Sequence, residues 1–445
     1  MATLSEARAG AVRRLIELAP DNVIRRLETA LSLAGRGDEA MARVQDMVGE
    51  EMLDRRVRAA VFSPLTPLCR PPPDQMQRLA FPSAVLGLTW AALKRTVPDL
   101  VAQAQRAFAT LRMEEEPPEV FDDLCRRAAE GLAAGEAAFA PALEATPAPL
   151  RPRYTEVMAL APLARQAVRR LPHWVRTLSS EHAAGIRVAF GDAVAVGEDA
   201  GPPFMEILFG HLEQPFEVLR LISLVMDKPS DRYLAGSELA SFGERLLKDI
   251  DRRIDDVRSF DPGCGLDGGV QLARSVQVAT LTINEFETWL SINREGPWGS
   301  RLHAQMRALA SAVEARLREV EPAVTMVMPL QPSRSKATRG RPRLTEAPDA
   351  YAVAKAYALL GFLYESRHSA SYGGFAVVRS KVLEALDPRI DQYAEDLLEQ
   401  MHEDPALEEP VRGRLELAAD FLGLVRDPRA AEIVRRRAAA AGSPA

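Results

Sequence analysis

The most familiar pattern capable of chemistry is Gly263-Cys264-Gly265-Leu266-Asp267-Gly268, a formal GxGxxG match. Glycines at that spacing bind a dinucleotide only when a strand enters the turn and a helix leaves it, so that amides at the helix start face the pyrophosphate. Here the preceding segment, RIDDVRSF, reads as a helix, and an inter-helix loop is expected instead. The six histidines, His173, His182, His211, His303, His368 and His402, show no HExxH spacing and no neighbouring cysteine, so no zinc site is expected. Ser333 and Lys336 have SxxK spacing, but in a stretch too irregular to position a nucleophile. Neither a phosphate-cradling GxxxxGK[ST] nor a GxSxG or kinase signature is present. No cofactor is expected.

Residues 244–257 (ERLLKDIDRRIDDV) are rich in carboxylates, and Asp251 and Asp255 share one helix face at i,i+4 spacing. In all-α isoprenoid synthases, aspartates at such spacing hold magnesium and a diphosphate, and the pair Asp122 and Asp123 supplies a possible second acidic face. The second pair lacks the spacing of that family. Asp249–Arg253 and Arg252–Asp256 are also i,i+4 neighbours of opposite charge, the ordinary pattern of a solvated helix, and that reading takes precedence.

Between Pro332 and Arg343 stand five basic residues, Arg334, Lys336, Arg339, Arg341 and Arg343, with no acidic one. The core Arg339-Gly340-Arg341-Pro342 resembles an AT-hook. The resemblance implies that Arg339, Arg341 and Arg343 lie along an AT-rich minor groove, whose negative potential attracts arginine. It occurs once, in an acidic chain, so a solvated linker is the leading reading and DNA binding the alternative. Ser333, Ser335 and Thr338 beside these arginines also offer a docking or phosphorylation site.

The elements that must position these groups are helices. Leu302, Met306, Leu309, Val313, Leu317 and Val320 recur at steps of three and four, as do Leu239, Phe242, Leu246, Ile250, Ile254 and Val257. Met41, Val44, Val48 and Met52 begin a third stripe, and 216–226 is apolar nearly all round. Residues 275–283 are read as helix; 323–328 fits helix and strand equally. Asp21, Asp261, Asp387, Asp404 and Asp427 are expected as helix caps, the last four standing before a proline. Proline-rich joins at 63–73 and 141–152 and the polar stretch 329–348 divide the chain. They imply an N-terminal helical region 1–145, a central one 150–328, a basic linker 329–348 and a C-terminal region 349–445. Trp174, Trp289 and Trp298 are expected in the central core, or, if exposed together, on a partner surface.

Composition agrees. The 445 residues are 47% hydrophobic, 27% charged and only 6% aromatic, which favours alanine-rich helices packed closely over aromatic β-sandwiches. The net charge of −6 supplies no global field for nucleic acid or anionic lipid. Three widely spaced cysteines form no disulfide framework, and neither a signal peptide nor a membrane-spanning run is evident, so a cytoplasmic location is expected. The expectation is an all-α bundle or stack of helical hairpins, solenoid-like. Its leading function is a non-catalytic scaffold or regulator that binds a protein partner or itself through a helical groove or apolar patch.

Overall fold

Apolar residues at helical spacing bury their stripes against one another throughout the chain. The computed structural model describes residues 6–34, 39–69, 76, 79–112, 115–177, 179–197, 199–226, 229–331, 340–344 and 347–441. Among these the protein is all-α, with no strand and only the isolated bridges Ser230–Ser291 and Leu330–Pro342. No helix among them is long and apolar enough to cross a membrane. The chain forms two compact units, residues 1–225 and 226–445.

The first unit comprises α1 (Glu6–Leu18), α2 (Asp21–Ala34), α3 (Glu39–Val61), α4 (Ala84–Thr96), α5 (Pro98–Thr110), α6 (Glu119–Ala133), α7 (Ala140–Ala145), α8 (Arg151–Arg176), α9 (Ser180–Val196), α10 (Gly201–Phe209) and α11 (Val218–Val225). The proline-rich stretch after α3 begins with a 3-10 segment, Ser63–Cys69, against which α8 and α10 pack. Because α8 also packs on α6, helices α8–α11 fold with the N-terminal residues, and the unit boundary falls inside 150–328. Trp90 and Tyr154 anchor this core. Trp90 stands edge-on to Phe62 at 6.1 Å and donates its Nε1–H to Asp54 at 3.0 Å; the Tyr154 hydroxyl meets Thr89 Oγ1 at 2.7 Å. Each buried polar tip therefore has a partner. A smaller core joins α1 and α2 to α3 through Ile16, Ile24, Leu31, Met47, Val48 and Met52.

The second unit comprises α12 (Asp231–Ala235), α13 (Ala240–Ser259), α14 (Gly265–Trp289), α15 (Pro297–Val327), α16 (Ala350–Glu365), α17 (Ala376–Glu403), α18 (Glu408–Val425) and α19 (Pro428–Ala441). Residues 275–283 and 323–327 are helical, in α14 and α15. The expected stripes of α13 and α15 are buried, except that Met306 is only half-buried. The glycine-rich motif runs from a 3-10 turn, Pro262–Cys264, into the start of α14, and Gly269 follows it directly. Gly265 adopts φ +75°, open to glycine at little steric cost, and a Cβ on Gly269 would lie 1.8 Å from the Ala358 carbonyl of α16. These glycines therefore serve a turn and a close helix crossing.

Three of the Asp-Pro aspartates cap as expected: Asp261 accepts from Gly263 N, Asp404 from Ala406 N and Asp427 from Ala430 N. Asp387 does not, and Pro388 lies inside α17. Buried Leu386 and Ile390 hold the helix through the proline, while the Asp387 carboxylate accepts from Arg426 at 2.8 Å. Asp21 likewise gives its carboxylate to Arg55, at 2.6 Å.

Candidate functional site

In the second unit, α16 packs against both α14 and α15, and α13 supports both from another side, whereas the consecutive helices α14 and α15 touch each other little. Held apart in this way, they leave a groove of about 810 Å³. The loop that closes one end is pinned where Ser291 N donates to Pro229 O at 2.7 Å. A smaller depression of about 20 Å³ shares Glu287 and Met306 with the groove and reaches Tyr372, which is 71% exposed. The floor is apolar: Leu290 and Leu302 are buried, Ile292 and Met306 half-buried.

Arg294 lines the groove from the loop and His303 and Arg307 line it from α15, all exposed, and none has a carboxylate partner among the described residues. Glu287 is the single acidic group on the wall. Other arginines of this unit are engaged, among them Arg301 by Glu244 and Asp251, Arg316 by Glu319 and Arg389 by Glu321. The arrangement suits an elongated ligand that is apolar along one side and negatively charged along another.

The residues singled out from sequence lie elsewhere. Asp251 accepts from Arg301 at 2.7 Å and from Gln305 at 2.6 Å, and Asp255 from Arg258 at 3.1 Å. In the other unit Asp122 holds Arg165 at 2.8 Å and Asp123 holds Arg126 at 2.7 Å. Each carboxylate is spent on a cation of its own unit, and no group of three or more acidic, histidine or cysteine side chains able to hold a metal occurs among the described residues. Arg339 lies outside the described residues, as do Ser333, Arg334, Ser335, Lys336 and Thr338. Arg341 is gripped by Glu403 at 2.7 and 3.3 Å, and that hydrogen bond and charge raise its pKa. Around it Gln331 N donates to Arg341 O and Arg343 N to Pro329 O, a short antiparallel closure.

Trp174 and Trp298 are buried, as the core reading expected, and the partner-surface alternative does not apply at those two positions. Trp174 packs beside Gly185 of α9. Trp298 lies over Gly243, stands edge-on to Phe286 at 5.9 Å, and donates to Glu244 at 2.6 Å. Their helices turn the same face inward as the aliphatic stripe, so they go with it. Trp289, at the end of α14, is half-buried. Sequence reading missed Arg294, His303 and Arg307 as lining of one groove; the one local signal was Met306, an apolar-stripe residue next to Arg307 and three residues after His303. Compared with known proteins, the chain matches no family model, no curated sequence and no solved structure, and the groove is read from its own geometry.

Proposed function

We propose that this protein is a non-catalytic helical binding protein whose α14–α15 groove receives an acidic amphipathic helix from a partner protein. The observation that carries the reading is the pairing of an apolar floor with two arginines and a histidine, spread along the loop and the α15 wall, that have no carboxylate partner among the described residues. Helix-in-groove recognition uses this division: apolar anchors at i, i+3 and i+4 fill the floor, and charge at the rim fixes partner and direction. The wall of α14 from Thr280 to Leu290 is about 15 Å long at 1.5 Å per residue, enough for roughly three turns of a bound helix. The acidic flank of that helix faces Arg294 in the loop and Arg307 in the third turn of α15. An interface of this size belongs to the transient class.

The test is peptide display on the immobilised full chain, counter-selected against a Met306→Asp, Arg307→Glu variant. Expected are peptides with an apolar i, i+4 stripe and acidic residues on one flank. They become helical when bound and dissociate as salt rises. Enrichment of the same peptides on the variant, or of none on either protein, overturns the proposal.

A further inference from the structure

Helix α8, in the first unit, carries six arginines. Four of them donate to the protein: Arg151 to the Thr146 carbonyl, Arg153 to Glu156, Arg165 to Asp122 and Arg176 to Glu213. The remaining two, Arg169 and Arg170, have no partner among the described residues, and both open into one cleft of about 420 Å³. Pairing is the rule along this helix, and it fails only there.

The cleft is built around a fixed floor. Arg165 is 5% exposed; its Nε holds Asp122, while its Nη groups donate to the carbonyls of Ala60 and Val61 at 2.9 and 2.6 Å. That guanidinium cannot swing out, and its charge is balanced by Asp122. Arg169 and Arg170 from one turn of α8 and His173 from the next also line the cleft, as do Glu116 and Pro117. Counting the floor pair as neutral leaves the two permanent positive charges of Arg169 and Arg170, with His173 beside them, against the single carboxylate of Glu116.

We infer that this cleft binds the phosphate of a small phosphorylated molecule. Guanidinium groups match phosphate oxygens in fork geometry, and two adjacent arginines answer a dianion better than a monocarboxylate. The volume lies within the range of small-ligand sites. Glu116 in the same lining opposes a long polyanion and accepts a ligand hydroxyl instead, which selects a phosphomonoester over a polyphosphate chain. This inference is independent of the groove in the other unit.

Calorimetric titration of the full chain with phenyl phosphate and with inorganic phosphate, at constant ionic strength, tests it. One equivalent should bind saturably. Tighter binding of phenyl phosphate identifies the ester as the ligand class, and equal binding identifies the anion itself. The double variant Arg169→Gln, Arg170→Gln should weaken binding at least tenfold, and Glu116→Gln should tighten it. Arg294→Gln with Arg307→Gln should leave it unchanged. Arg165 is left intact because it holds three segments together. Absence of saturable heat from both probes, or affinity unaltered in the Arg169/Arg170 variant, overturns the inference.

Discussion

Replacing Arg55 with methionine should release the first two helices while leaving the rest of the molecule folded. Arg55 is 8% exposed and reaches from α3 to both helices. Its Nε donates to Glu51 at 2.6 Å and its Nη1 to Asp21 at 2.6 Å and Ala19 O at 2.9 Å; Nη2 donates to the Ile16 and Glu17 carbonyls, each at 3.1 Å. Those carbonyls belong to the last turn of α1, where helix ends leave acceptors short of partners, so one side chain caps α1 and anchors α2 together. Methionine keeps the apolar stem and removes every donor. The Asp21 contact is largely exposed and counts for little, but Glu51 and the carbonyls lose their only cation in a half-buried setting. Removing one partner of a buried charge network costs about 3–5 kcal/mol. Even the lower figure raises the open population of α1–α2 on the order of 100-fold. The small core of Ile16, Ile24 and Leu31 on α3 gives this pair its own local stability, so the loss should stay local. Hydrogen exchange read by mass spectrometry should show residues 6–34 losing protection, with 240–327 as the internal reference. Unchanged protection in 6–34, or equal loss in both segments, refutes the reasoning.

Other outcomes follow from the same geometry. Gly269→Ala places a methyl group against the Ala358 backbone and should destabilise by about 1–3 kcal/mol or more. Gly49→Ala, in α3 with nothing near the new methyl, should stabilise by about 0.5–1 kcal/mol; denaturant midpoints measure both. Burial pushes the Cys69 and Cys125 thiols up to about 12, so of the three cysteines only exposed Cys264 should react with iodoacetamide in the native state, and all three after unfolding. Arg437 holds the Glu395 carboxyl below its usual range through a hydrogen bond and its charge. The stability this gives to α19 is fully present above pH about 4.3 and is lost as pH falls through the depressed value. Because the pair is nearly half exposed, the effect is at most ~1 kcal/mol; limited proteolysis at 428–441 should quicken in acid and stay flat between pH 6 and 8.

Helix identity was legible because it is local. The α13 and α15 stripes are written in steps of three and four, and three Asp-Pro caps act where they stand. What failed depended on distant residues. Asp387 looks like a cap until Arg426 claims it across 39 positions. The GxGxxG spacing is a turn whose Gly263 lies against Tyr351 of another helix, α16. Asp251 resembles a ligand until Arg301 and Gln305 arrive from α15. The groove is less legible still, since it exists because α16, far along the chain, keeps α14 and α15 apart. Met306 shows the consequence: its spacing assigns it to the core stripe, and the separation of the helices turns it into groove lining.

A photo-crosslinking amino acid placed at position 306, in the full chain expressed in its native cell, tests the binding claim most directly, with position 326 as an exposed control outside the groove. The groove reading predicts a discrete protein adduct at 306 and not at 326, lost in an Arg294→Glu, Arg307→Glu background. Its crosslinked peptide should map to an acidic amphipathic helix. Adducts of equal pattern at both positions, or a crosslinked segment that is basic or non-helical, contradict it.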